Sequence, residues 1–135
     1  MKRMVVLALL ALASPVLAAD KAEFFDEYGK ALELTRAEQK KPLLVILENP
    51  ADADKQVAQV SHKDVLGLSE SLLQDYTVCR IDVRSDYGQA VADAFKVDDF
   101  PHTSIIDRTG KWQVFKKTGG FDSAEWNSTL VKYSK

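Results

Sequence analysis

Residues 43–47, Leu43-Leu44-Val45-Ile46-Leu47, form an unbroken apolar run set between Lys40-Lys41-Pro42 and Glu48-Asn49-Pro50. Five apolar residues in succession, without polar alternation, describe a strand covered on both faces. Such a strand needs strands beside it and a layer packed against each face, which restricts the chain to a sheet sandwiched by helices. A helix start follows directly. Asn49 is a good N-cap, Pro50 fits the first helical position, and Asp52 stands where a carboxylate reaches back to the cap amide.

The rest of the chain alternates between helical and strand periodicity. Phe24, Phe25, Tyr28 and Leu32 recur at near-helical spacing, so residues 21–39 are expected to form an amphipathic helix. Residues 51–60 and 64–74 read as helices interrupted near Ser61 and His62. A second strand spans Tyr76–Val83, and a helix spans Tyr87–Phe95 with Val91 and Phe95 inward. Thr103–Ile106 and Trp112–Lys116 form a strand pair across the turn Asp107-Arg108-Thr109-Gly110. Asp122 or Ser123 caps a last helix carrying Trp126, Leu130 and Tyr133. These alternating units predict an α/β domain with a mixed central sheet, flanking helices and a C-terminal antiparallel hairpin.

The N-terminal segment is read as an address rather than as part of the fold. Lys2 and Arg3 precede an apolar stretch from Met4 to Ala13, Pro15 ends any helix, and Val16-Leu17-Ala18 supplies small residues for cleavage. This predicts a signal peptide over residues 1–18, a domain over 19–135, and a periplasmic or secreted location. The apolar stretch is about half of the ~20 residues that a membrane span requires, so no stable membrane anchor is expected. Removing Lys2 and Arg3 takes the formal charge from −2 to −4. With basic residues spread among carboxylates, the composition gives no basis for nucleic-acid binding.

The stretch Ala94-Phe95-Lys96-Val97-Asp98-Asp99-Phe100-Pro101-His102-Thr103-Ser104-Ile105-Ile106-Asp107-Arg108-Thr109-Gly110-Lys111 resembles the second half of thioredoxin-family domains. The shared pattern is an aromatic residue, a valine, a short loop, a proline, a threonine, an apolar strand and an Asp-x-x-Gly turn. The likeness extends over most of residues 22–134. It implies a thioredoxin-like three-layer sandwich, with Pro101 as the family's cis-proline and Gly119 or Gly120 as the glycine before the last helix. Two departures stand out: His102 lies between the proline and the threonine, and the corner where the family carries Cys-x-x-Cys reads Ala51-Asp52-Ala53-Asp54.

The chain contains a single cysteine, Cys79. A dithiol–disulfide cycle within one chain needs two thiols, so this chemistry is excluded for the isolated molecule. Thr77, Cys79, Ile81 and Val83 alternate onto one face of the second strand, which predicts a packing cysteine rather than an activated one. The alternative is a single-cysteine thiol–disulfide or glutathione-linked protein acting through Cys79.

Without dithiol chemistry, the resemblance leaves a polypeptide-binding role. In the family the turn at the proline frees the backbone of the preceding residue, here Phe100, to pair with an extended segment. Strand addition draws affinity from main-chain hydrogen bonds and needs no thiol. The other reading is that Pro101 merely opens a strand. Candidate binding residues are Phe100, Pro101, His102, Asp52 and Asp54, with a polypeptide or partner protein as ligand. No catalytic residue, metal or cofactor is assigned.

The carboxylates of Asp52 and Asp54 have two readings. They cap a helix and oppose its dipole, or they join Asp98, Asp99 and His102 in an anionic site whose oxygen and nitrogen donors suit a divalent ion. His102 itself is expected as a polar loop residue titrating near neutral pH. Ser61-His62 adjacency is no triad, since sequence neighbours point apart. Asn127-Ser128-Thr129 matches the glycosylation pattern by chance within a helix. Trp112 and Trp126 are expected to pack in the core or at a sheet edge.

Overall fold

The computed structural model describes residues 24–49 and 68–135. The proposed signal peptide, the 18/19 boundary, the helix after Pro50, His62, and both Asp52 and Asp54 lie outside the described residues.

The elements run β1 (Phe24–Phe25), α1 (Tyr28–Glu38), β2 (Leu43–Glu48), α2 (Leu68–Leu73), β3 (Thr77–Asp82), α3 (Asp86–Phe95), β4 (His102–Ile106), β5 (Gln113–Thr118) and α4 (Ser123–Tyr133). They build a five-stranded sheet in the order β1-β3-β2-β4-β5. β1 and β2 both pair with β3 in parallel, while β4 pairs antiparallel with β2 and with β5. The sheet is therefore mixed, with an antiparallel hairpin along one side, as the sequence predicts.

Alternation along β2 divides the core into two layers. Leu44 and Ile46 point to one side, with Leu73, Tyr76, Val78, Ile105, Trp126 and Leu130. Leu43, Val45 and Leu47 point to the other, with Ala31, Cys79, Ile81, Val91 and Ala92. All six residues of β2 are buried. The first layer lies under α2 and α4, the second under α1 and α3, which gives a helix–sheet–helix sandwich.

The N-terminal region departs from expectation. Phe24 and Phe25 do not begin a helix but form β1, in register with Val78 and Cys79 of β3. Aromatic residues suit a pleated edge as well as a helix face, and a two-residue strand is too short for its periodicity to be read. The helix begins only at Tyr28, and its N-cap residue Glu27 makes no side-chain cap. The cap comes instead from across the molecule: the Tyr28 and Gly29 amides donate to Tyr87 Oη at 2.6 and 3.3 Å.

The other helix starts are local. Ser85 Oγ accepts from the Gly88 amide at 2.9 Å, so α3 starts at Asp86, one residue before its expected position. Gly88 itself is packed so tightly on the end of β3 that a Cβ there would collide with the Asp82 carbonyl. Asp122, not Ser123, caps α4, its Oδ1 accepting from the Glu125 amide at 2.8 Å. The turn between β4 and β5 closes through Gly110 N–H donating to Asp107 O at 2.8 Å, with Asp107 Oδ1 accepting from Thr109 Oγ1 at 2.7 Å.

Candidate functional site

One end of the sheet holds Phe100, Pro101 and His102, the singled-out site residues that the structure describes. There β2 and β3 finish, β4 begins, and the Phe100–Pro101 peptide bond is cis. Pro101 is buried, and its carbonyl accepts from the Gly119 amide at 2.8 Å, tying the loop to the end of β5. The Phe100 side chain is half-buried against the layer that contains Cys79. Among the described residues, neither its amide nor its carbonyl has a hydrogen-bond partner.

His102 requires a correction. It is the first residue of β4, paired with Leu47 in a register that continues unbroken to Leu43 and Ile106, and it is only 5 % exposed. It is thus a strand residue and not part of a polar loop, because the antiparallel ladder captures the residue directly after Pro101. Its Nδ1 lies 2.9 Å from Thr118 Oγ1 on β5. Burial, and secondarily the charge of Lys116, holds its imidazole below the ordinary histidine range, so the ring is neutral at neutral pH.

His102 lines a cleft of about 330 Å³, together with Lys96, Asp98, Asp99, Lys116 and Thr118. The structure thereby brings His102 and both aspartates to one place, whereas the Phe100 and Pro101 side chains do not line it. Among the described residues, no group of three His, Cys, Asp or Glu side chains is placed to hold a metal ion.

Sequence reasoning missed Lys96, Lys116 and Thr118 in this cleft. The hairpin register alone would have placed Thr118 opposite His102 and Lys116 opposite Ser104. It also missed an ion pair at the same sheet end, on the opposite face. Arg80 of β3 donates through Nε to Glu48 Oε2 at 2.8 Å, and through Nη2 to the same oxygen. Glu48 is buried there. A carboxylate withdrawn from water requires such a partner.

Cys79 sits in the interior of the sheet with no exposed surface. Burial above all, then the charge of Asp26, pushes its thiol up to about 12. A thiol in that state is neither nucleophile nor metal ligand at neutral pH. Trp126 is fully buried, but Trp112 is 68 % exposed beyond the start of β5, contrary to its expected packing role. The strand begins one residue later, which leaves the indole in solvent.

This architecture is thioredoxin-like. A mutant thioredoxin from Halobacterium salinarum superposes with a TM-score of 0.61 at 19 % identity, covering 87 % of this chain and 94 % of that one. A thioredoxin from Thermus thermophilus gives 0.61 at 19 %, covering 82 % and 86 %. The thioredoxin from Fasciola hepatica gives 0.60 at 13 %, covering 82 % and 98 %. No protein-family model and no curated sequence matches the chain.

Proposed function

We propose that this protein is an exported thioredoxin-like domain without dithiol redox activity, which binds an extended segment of a polypeptide at the loop leading into β4. The observation that carries this reading is a contrast between the middle of the sheet and its end at Pro101. The chain's single thiol is sealed in the core, while an open cleft lies beside the unengaged Phe100 backbone. An extended segment entering there would pair with the Phe100 amide and carbonyl, and its side chains would meet His102, Asp98 and Asp99 in the cleft. Asp52 and Asp54 are assigned to the same site by the sequence resemblance.

Single-cysteine exchange is the less favoured reading, since a protonated, inaccessible sulfur cannot attack a disulfide. The test is a titration of the ¹⁵N-labelled domain with reduced, carboxymethylated insulin B chain. Saturable shifts at the amides of residues 98–100 and 102 are expected, and saturation without shifts there would overturn the site. In parallel, no catalysis of insulin reduction by dithiothreitol is expected. Turnover comparable to a dithiol enzyme would overturn the redox assignment. Export is tested by fusing residues 1–18 to a reporter that is active only outside the cytoplasm.

A further inference from the structure

The layer formed by α1 and α3 leaves part of the β4–β5 hairpin uncovered. At the end of the hairpin remote from Pro101, α1, the end of α3 and the Asp107–Gly110 turn enclose a second cavity of about 300 Å³. That volume is at the lower bound for small-molecule sites. Its apolar lining includes Tyr28, Phe95 and Ile106, and its charged lining is Arg36, Lys96 and Lys111. The Tyr28 and Phe95 rings meet edge to face with centroids 5.1 Å apart and planes at 73°, which fixes an angled aromatic corner.

The charge of this cavity runs against the chain as a whole. Acidic residues outnumber basic ones, 20 to 18, yet three cations and no carboxylate line it. None of the three forms an ion pair among the described residues. The three side chains are solvent-exposed, so their mutual repulsion is screened, but together they give the hollow a positive potential that favours an anion.

Arg36 is also held in position. Its Nε donates to the Gly110 carbonyl at 3.0 Å, linking residues 74 apart in sequence. Gly110 has φ +75°, and a Cβ at that position would collide with the Arg36 side-chain stem. The missing side chain thus makes room for the arginine, and the single Nε bond leaves the terminal nitrogens of the guanidinium unengaged among the described residues. A guanidinium so fixed loses little entropy on forming a two-pronged bond to an oxyanion.

We propose that this cavity binds a small organic dianion of the phosphomonoester type, its flat apolar group against Tyr28 and Phe95 and its phosphate on Arg36, Lys96 and Lys111. Three cations favour a dianion over a monoanionic carboxylate, and the aromatic corner favours an apolar body over the bare ion. The cavity shares Phe95 and Lys96 with the cleft beside His102, but Arg36, Gly110 and Lys111 line it alone, so variants at Arg36 and Lys111 test this reading apart from the polypeptide-binding one.

The test is a titration of the ¹⁵N-labelled protein at low ionic strength with phenyl phosphate, beside inorganic phosphate, benzoate and benzyl alcohol. Saturable shifts are expected at the amides of Lys96, Gly110, Lys111 and Gln113, with phenyl phosphate binding about tenfold more tightly than any comparator, in line with one charge-assisted hydrogen bond. Arg36→Gln is expected to weaken binding about tenfold and Lys111→Gln about threefold. Lys30→Gln, at a residue paired with Glu27 and outside the cavity lining, should leave it unchanged. Should Arg36→Gln fail to fold, Lys111→Gln decides, because among the described residues the exposed Lys111 side chain makes no hydrogen bond or ion pair. Absence of saturable shifts, shifts confined to other residues, equal affinity for benzyl alcohol, or unaltered binding by the variants would overturn the proposal.

Discussion

The two halves of the sheet bury different chemistry. β2 and β3 place mainly leucine, isoleucine, valine and one thiol between two helical layers, with Thr77 and the Arg80-paired Glu48 as their buried polar residues. The adjoining β4 begins with three buried polar residues, His102, Thr103 and Ser104. In that hairpin half, His102 meets Thr118, Ser104 Oγ donates to Gln113 Oε1 at 2.7 Å, and both open cavities lie alongside. A core of apolar groups is held by burial, which is non-directional and roughly proportional to area. Buried polar groups need individual partners, which His102 and Ser104 have, whereas Thr103 Oγ1 has none among the described residues. The parallel half thus maintains the fold, and the hairpin half carries the two cavities at which we propose binding.

This contrast yields predictions that can break it, beginning with the largest effect. Trp126 is fully buried and meets Phe121 edge to face at 4.9 Å. Trp126→Ala is expected to cost about 3–5 kcal/mol in urea denaturation. Trp126→Phe should retain most of that stability, because the indole N–H has no partner among the described residues and its removal relieves a desolvation cost. Equal losses in both variants would show that the indole nitrogen, not the ring's volume, is what the core needs.

The second prediction concerns the thiol. The Cys79 pKa stands at about 12 in the fold against an ordinary 9.0, so the folded state favours the neutral form. Its contribution is complete below pH 9 and is lost as pH rises towards 12, by about 1.4 kcal/mol per pH unit at the steepest. Tyr76, raised first by burial, adds to the loss at the alkaline end. Denaturation of Cys79→Ala between pH 9 and 11 should therefore show a shallower decline than the wild type. Parallel declines would mean that the sulfur is already ionised in the fold and would reopen single-cysteine chemistry.

His102 gives an effect of opposite sense. Its folded value is lowered, so its contribution is present above pH 6.5 and is lost as pH falls through the folded value. His102→Gln should flatten the acid limb of stability, and Lys116→Gln should flatten it in part by removing one of the two causes. Asp98, Asp99, Lys96 and Lys117 line the same cleft and set the remaining charge. An unchanged acid limb in both variants would place the acid sensitivity elsewhere. The smallest effect belongs to the exposed indole: Trp112→Ser is expected to change stability by no more than about 0.5 kcal/mol, as thermal denaturation would show. A larger loss would reveal a packing role for Trp112 in the hairpin.

Much of the framework was legible in the sequence because its signals are local. The run Leu43–Leu47 gave β2, the alternation around Cys79 gave β3, and Asp107-x-x-Gly110 gave the hairpin turn. Ser85 was legible too, as a capping serine three residues before Gly88, but the periodic reading began at Tyr87 and passed over it. The candidate site was less accessible. His102 looked like a loop residue because it follows a proline, and only pairing with Leu47 made it a buried strand residue. Lys96 and Lys116 carry no local signature, and they enter the cleft through the closure of the hairpin against α3.

The composition and order of residues settled two matters without any structure: one sulfur atom cannot complete an intramolecular dithiol cycle, and alternating periodicities dictate a layered α/β arrangement. Periodicity and capping act over a few residues, so they can be read along the chain. Other features required the folded molecule. The phenol of Tyr87 caps a helix 59 residues away, and Arg36 rests on the Gly110 carbonyl across 74 residues. Two phenylalanines become a strand only because β3 offers them an edge. Each depends on surfaces that do not exist until distant segments pack together, and no local preference encodes them.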